Sequence, residues 1–249
     1  MNYFINLTLT QMGFWITWAL IPIVVEIIPS LISAFHLMRQ SRHIKDLSAP
    51  AKLPFISIIV PVYNSEDTLF ACLQSINDST YPNDSMQIVL ADNQSTDDSF
   101  SSFARAQNHF NLNMQFIQTD QGKAKALNGA IYQCIGTYIV NIDSDGVLEQ
   151  NALMNMVLHF ENDIDLAAMT GTILTQRYQI KRTKDRWLRF LQKTEYFEYA
   201  QAFLSGRTIE SDNNELFTMS GAFSAFRKDT LLDTFMYNTD TVGEDTDMT

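Results

Sequence analysis

Residues 138–146 read YIVNIDSDG. Tyr138–Ile142 is a short run of β-branched and aromatic residues, the signature of a buried strand, and an acidic turn follows at its carboxyl end. The same grammar recurs in both directions from this stretch. Residues 55–60 (FISIIV), 87–91 (QIVLA) and 114–118 (MQFIQ) read as three further strands, and Pro61 is expected to end the first. Between them apolar residues recur at helical spacing: 66–76 (through Leu69, Cys72, Leu73 and Ile76), 99–106, 124–135 and, past the acidic turn, 151–160. Strands alternating with helices at this spacing predict βαβ units, an α/β fold with a mostly parallel sheet flanked by helices.

In such a sheet, ligands bind beyond the carboxyl ends of the strands. The first run is followed there by Pro61, Val62, Tyr63 and Asn64, the second by Asp92 and Asn93, and the fourth by Asp143, Ser144 and Asp145. Asp and Asn favour turns for local reasons, and one such turn would need no other explanation. Asp143 and Asp145 ask for more, because two carboxylates one residue apart repel each other unless a cation lies between them. Oxygen-only ligands with room for water suit Mg2+ or Mn2+ bound to phosphates. No His/Cys cluster competes for a zinc role. A second acidic cluster, residues 243–247 (GEDTD), reads either as a solvated loop or as the source of a carboxylate that takes a proton from an attacking hydroxyl.

The charge balance narrows the partners. The 249 residues carry a net charge of −11, which argues against nucleic acid as a partner, since that needs a basic face. Cys72 and Cys134 lie in apolar surroundings and read as buried thiols. Charged residues are only 18% of the chain, chiefly because residues 12–38 hold a single charge, Glu26. That run is long enough to span a bilayer, with Trp15 and Trp18 suited to the headgroup level and Pro22 and Pro29 tolerated within it. A helix lying in the interface, or buried in a soluble core, is the other reading. Arg39, Arg42 and Lys45 follow at once and predict that the domain on their C-terminal side is cytoplasmic. Glu26 is costly against lipid and is expected to face another helix or the membrane edge. The expected organisation is a membrane anchor over 1–45, a linker over 46–54 and a catalytic domain over 55–249. Residues 181–205 are aromatic-rich with a basic start, and read as a helix packed on the core or the membrane surface, or as an aromatic platform on which an acceptor substrate stacks.

The motifs PVYNSE (61–66), ADNQSTDDS (91–99), QGKAKALNGA (121–130), NIDSDG (141–146), SGAFSAFRKDTL (220–231) and GEDTDMT (243–249) stand in the order found in family 2 glycosyltransferases. The chain resembles that family from about residue 53 to its end. It looks most like the membrane-bound branch that includes cellulose, chitin, hyaluronan and poly-N-acetylglucosamine synthases, with a narrower likeness to Gram-positive exosortase-associated glycosyltransferases. The resemblance implies a GT-A fold, Rossmann-like, and a nucleotide-sugar donor, UDP-linked in most of the family. It also implies a glycan or lipid-linked acceptor and a place at the bacterial cell membrane. Carried over by residue, it implies that Pro61, Val62 and Tyr63 line the base through backbone groups and that Glu66 lies near the ribose. Asp92, with Asn93 beside it, would contact base or ribose, and Lys123 would line the donor site. Asp143 and Ser144 would lie against the donor, Asp143 and Asp145 would hold the metal, and Asp245 would be the general base with Glu244 beside it. Asn93 stands where the family often has a second Asp, and Gln94 where it has Gly. The branch's Q-x-x-R-W motif and C-terminal membrane helices are expected beyond Thr249, the domain being cut short there. Two rivals share this pattern. A nucleotidyltransferase would normally carry a Gly-rich basic loop where PVYNSE stands, and an inactive sensor or scaffold would bind donor without turnover.

Overall fold

A computed structural model describes residues 2–40, 47–175, 177–212, 216–234, 236–240 and 243. In chain order, α1 (Asn2–Pro22), a π-helical turn (Ile23–Ile27) and α2 (Ile28–Gln40) precede β1 (Ile56–Val62), α3 (Leu69–Asn77), β2 (Met86–Asp92) and α4 (Ser99–His109). Next come β3 (Asn113–Gln118), α5 (Lys123–Ile131), β4 (Tyr138–Ile142), α6 (Ala152–Asn162) and β5 (Ala168–Thr170). Then follow α7 (Arg177–Arg182), α8 (Arg186–Gln201), a second π-helical turn (Ala202–Gly206), α9 (Arg207–Asp212), β6 (Phe223–Arg227) and α10 (Lys228–Asp233). The chain divides into two compact units, Met1–Asp46 with Tyr178–Asn213, and Leu47–Arg177 with Asn214–Thr249.

The first unit is helical, and its N-terminal helix starts at Asn2, well before the apolar run. Among the described residues, Met12–Ile32 is the stretch long and apolar enough to cross a membrane. Pro29 has no N–H for the carbonyl of Val25, and the hydrogen-bond ladder ahead of it widens into the π-helical turn, where Ile28 N–H reaches Ile23 O. Glu26 sits in that turn. It lines a cavity of about 1070 Å³ together with Glu198 and Gln201 of α8, so it does face another helix. Asp185 caps α8 by accepting from Leu188 N–H at 2.7 Å. Trp187, Phe190 and Phe197 are each more than half exposed.

The second unit is built on a six-stranded sheet in the order β3-β2-β1-β4-β6-β5. Its first four strands are parallel, and β6 runs antiparallel to both β4 and β5. On one face, Ile56, Ile58, Val60 and Val62 pack with Leu69, Cys72, Leu73 and Ile76 of α3 and with Leu153, Val157 and Phe160 of α6. On the other, Ile59, Val89 and Ile139 pack with Ala126, Leu127, Ala130 and Ile131 of α5. β1 is therefore buried throughout, as its apolar sequence, interrupted only by Ser57, requires.

Two boundaries differ from the sequence reading for identifiable reasons. β1 runs through Pro61 to Val62 and stays in register with β2, whereas its pairing with β4 stops at Ile59. Proline's missing N–H thus falls past the point where the β4 ladder ends. α5 stops at Ile131 rather than 135: Gln133 and Cys134 N–H tighten onto the carbonyls three residues back, Ala130 O and Ile131 O, and the next two amides turn to a side chain. Ile135 and Gly136 N–H both donate to Ser57 Oγ, at 3.1 and 2.9 Å. The sequence reading also assigned no strands at β5 and β6.

Candidate active site

β1 has β2 on one side and β4 on the other, so the crevice beyond their carboxyl ends is the switch point of the sheet. Strand alternation sends Pro61 toward the α5 layer and the Val62 side chain into the core beneath α3, leaving only the Val62 backbone at the crevice. The carbonyl of Val62 accepts from Asn93 N–H at 2.8 Å. Tyr63 is more than half exposed.

The loops after β1 and β2 are laced together. Asn64 adopts φ 48°, a conformation Asn tolerates, and its Oδ1 accepts from Thr96 N–H at 2.8 Å. Asn64 N–H donates to Ser95 Oγ at 3.1 Å. Glu66 and the N-terminal end of α4 exchange bonds: Glu66 N–H donates to Asp97 Oδ2, and Asp98 N–H donates to Glu66 Oε2, both at 2.9 Å. The Glu66 carboxylate is thereby engaged at a helix start, and its expected place near the ribose rests on the family resemblance alone. Burial works against the Asp97 charge. Hydrogen bonds from the Ser99 hydroxyl and from the Glu66 and Ser99 N–H groups outweigh it and hold the carboxyl below its ordinary value.

Asp92 ends β2 almost buried, with Oδ1 accepting from Ser95 N–H at 3.2 Å. Asn93 Oδ1 accepts from Gly122 N–H at 2.6 Å. An amide N–H can only donate, so this bond fixes which end of the Asn93 side chain is oxygen. An Asp here would accept the same bond, so the departure from the family's second Asp preserves it. Gly122 has φ 126°, which an L side chain rarely adopts, and this lets the chain turn into α5. Lys123, the first residue of α5, then places its Nζ 3.0 Å from Asp143 Oδ1.

After β4 the chain turns at once. Asp143 N–H donates to Ala222 O at 3.2 Å, and Gly146 N–H closes the turn on Asp143 O at 2.9 Å. Ser144 and Asp145 occupy its centre, with the Asp145 side chain exposed. Ser144 Oγ and Ser65 Oγ lie 2.7 Å apart, a hydrogen bond across the crevice between β1 and β4. Beneath the turn, Cys72 Sγ donates to Asp143 O. Burial, then the charges of Asp145 and Asp143, push the Cys72 thiol up to about 12. Both cysteines are buried and free, as expected.

Ser65 and Asn141 escaped the sequence reading. Nothing in PVYNSE marked Ser65 as a bridge. Asn141 did leave a signal, as the one polar residue of a buried strand. Its Nδ2 donates to Gly221 O at 2.6 Å, joining β4 to the turn before β6. Glu244 and Asp245 lie outside the described residues.

The structure thus brings Asp92, Asn93, Lys123, Asp143, Ser144 and Asp145 to the carboxyl ends of adjacent strands. Asp143 and Asp145 offer only oxygen, one from the start and one from the centre of a single tight turn. Among the described residues, no group of three or more His, Cys, Asp or Glu side chains gathers. A pair of carboxylates fits Mg2+ or Mn2+, which take the rest of their ligands from water and substrate phosphates.

A glycosyl transferase family 2 model matches residues 57–235. The poly-beta-1,6-N-acetyl-D-glucosamine synthase of Staphylococcus aureus is 26% identical over 194 residues, covering 78% of this chain and 44% of that protein. The Staphylococcus epidermidis protein of the same name is 27% identical over 190 residues, covering 76% and 43%. The chain therefore spans less than half the length of these relatives. Among solved structures, mannosyltransferase PcManGT from Pyrobaculum calidifontis, in complex with GDP-Man and Mn2+, matches 97% of this chain and 60% of its own. Its TM-score is 0.63 at 23% identity. S. aureus TarS 1–349 in complex with UDP-GlcNAc matches 77% of this chain and 51% of its own, with a TM-score of 0.54 at 19% identity. At these identities the likeness speaks for the fold, which is the GT-A fold. With nearly three quarters of its length inside the family model, the chain belongs to glycosyl transferase family 2.

Proposed function

We propose that the chain carries the donor-binding and catalytic part of a metal-dependent, inverting glycosyltransferase. It moves a sugar from a UDP-sugar to a glycan or lipid-linked acceptor, on the cytoplasmic side of a bacterial membrane, in the synthesis of an envelope or extracellular polysaccharide. The observation that carries this reading is the convergence of Asp92, Lys123, Asp143 and Asp145 at the switch point of the sheet. The relatives that make poly-N-acetylglucosamine support the polymer, and TarS bound to UDP-GlcNAc supports the uridine nucleotide.

The backbone of 61–63 and the side chains of Asp92 and Asn93 orient the nucleoside. Lys123 offers a positive charge to the diphosphate. Asp143 and Asp145 would hold a Mg2+ or Mn2+, which when bound would supply a Lewis acid for the charge that develops on the leaving diphosphate. Asp245, flanked by Glu244, accepts the proton of the attacking hydroxyl. The new bond joins the acceptor oxygen to the anomeric carbon, the bond from that carbon to the phosphate oxygen breaks, and the nucleoside diphosphate departs.

Incubation of the whole protein with UDP-GlcNAc and Mn2+ is expected to release UDP, and chelation to stop it. Asp145→Asn is expected to abolish the metal-dependent turnover. Asp245→Asn is expected to lower turnover by roughly 10²–10⁴-fold, the usual share of a general base, with donor binding nearly intact. Full activity in either variant would remove that residue from the mechanism. Binding of UDP-sugar without turnover, even with acceptors supplied, would favour a sensor.

A further inference from the structure

The place that a cation needs on Asp143 is already held by a cation of the protein. Lys123 Nζ lies 3.0 Å from Asp143 Oδ1, with the two side chains 35% and 28% exposed. Both partners are set from the backbone. Asn93 Oδ1 grips Gly122 N–H at 2.6 Å and so fixes the start of α5. Asp143 is tied through its N–H to Ala222 O and through its carbonyl to Gly146 N–H. A Lys ammonium and a divalent cation both draw on the lone pairs of the same carboxylate, and each repels the other. Sharing one carboxylate, each therefore weakens the hold of the other until a further anion joins them. A nucleoside diphosphate is such an anion, because it gives the ammonium a second partner and the divalent cation its remaining oxygen ligands.

We propose that Lys123 is an exchangeable counter-ion. In the nucleotide-free protein it neutralises Asp143 and keeps affinity for a free divalent cation low. When donor and cation arrive together it passes from the carboxylate to the diphosphate. Cation binding is thereby coupled to donor binding, and linkage requires the coupling to act equally in both directions. This inference rests on the metal-dependent reading above. It adds an opposite-signed role for one residue, against the cation alone and in favour of the nucleotide.

The test is Mn2+ binding to the whole protein, followed by electron paramagnetic resonance with and without UDP. Lys123→Met is expected to bind Mn2+ alone more tightly, by roughly threefold to tenfold, the range of a partly screened ion pair at contact distance. The same variant is expected to bind UDP more weakly in saturating Mn2+, while Lys123→Arg keeps the wild-type pattern. In an Asp143→Asn background, Lys123→Met is expected to give no gain in Mn2+ affinity. Unchanged or weaker binding of Mn2+ alone by Lys123→Met would overturn the inference while leaving the metal reading standing. A gain that persists in the Asp143→Asn background would overturn it too, as a general effect of charge. A wild-type protein that binds no Mn2+ even with UDP would sink the metal reading and this inference together.

Discussion

Gln94 shows how much one backbone angle can carry. It adopts φ 59° in the loop after β2, where the family usually has Gly, and a side chain in this region costs about 1 kcal/mol. Asn64 across the crevice has a similar angle but tolerates it and uses its amide oxygen to bind Thr96. No side-chain bond of that kind accompanies Gln94 among the described residues. Gln94→Gly is therefore expected to raise stability by up to about 1 kcal/mol, a melting-temperature gain of roughly 2–4 °C for a chain of this size. A fall in the melting temperature would show that the loop tolerates the angle without strain.

At the scale of the element, the start of α4 is a pH-dependent latch. Asp97 takes hydrogen bonds from Ser99 and from Glu66 N–H, which lower its pKa relative to the ordinary value of 3.8. A carboxyl whose folded pKa is depressed contributes stability that is fully present above the unfolded pKa. That contribution disappears as the pH falls through the folded value. Asp97→Asn is therefore expected to lower stability at pH 7 by under about 1 kcal/mol, given how well solvent screens the group, and by less at about pH 3, below the unfolded value. Chemical denaturation at the two pH values measures the difference. Equal losses at both would mean that the carboxylate charge plays no part. Because the latch joins the loops after β1 and β2, the variant also reports on how firmly the nucleoside side of the crevice is held.

At the scale of the whole molecule, the apolar helix Met12–Ile32 and the acidic crevice belong to different compact units. The proposed membrane tether predicts that the protein stays with the membrane fraction after an alkaline wash, and that removing residues 2–40 lowers the retained share. Digestion of right-side-out and inverted vesicles tests the orientation set by Arg39, Arg42 and Lys45, with the sheet-bearing unit expected to be cut only in inverted ones. Cutting in right-side-out vesicles would reverse the proposed side.

By itself the sequence determined the period of every strand in the parallel half of the sheet and the polar residues after three of them. Hydrophobic burial makes β1, β2 and β4 near-continuous apolar runs, whereas β3 at the sheet edge is only partly buried, and chemistry collects at the strand ends. It could not show that β1 passes through Pro61, because that depends on where the β4 ladder stops. β5 and β6 were equally hidden, since an antiparallel edge strand is specified by its partner as much as by its own residues. Nor could it show that Glu66 is engaged at the start of α4, that Ser65 meets Ser144, or that Lys123 stands on Asp143. Those contacts join residues 20 to 79 positions apart, and only closure of the sheet brings the strand ends close enough for side chains to choose their partners.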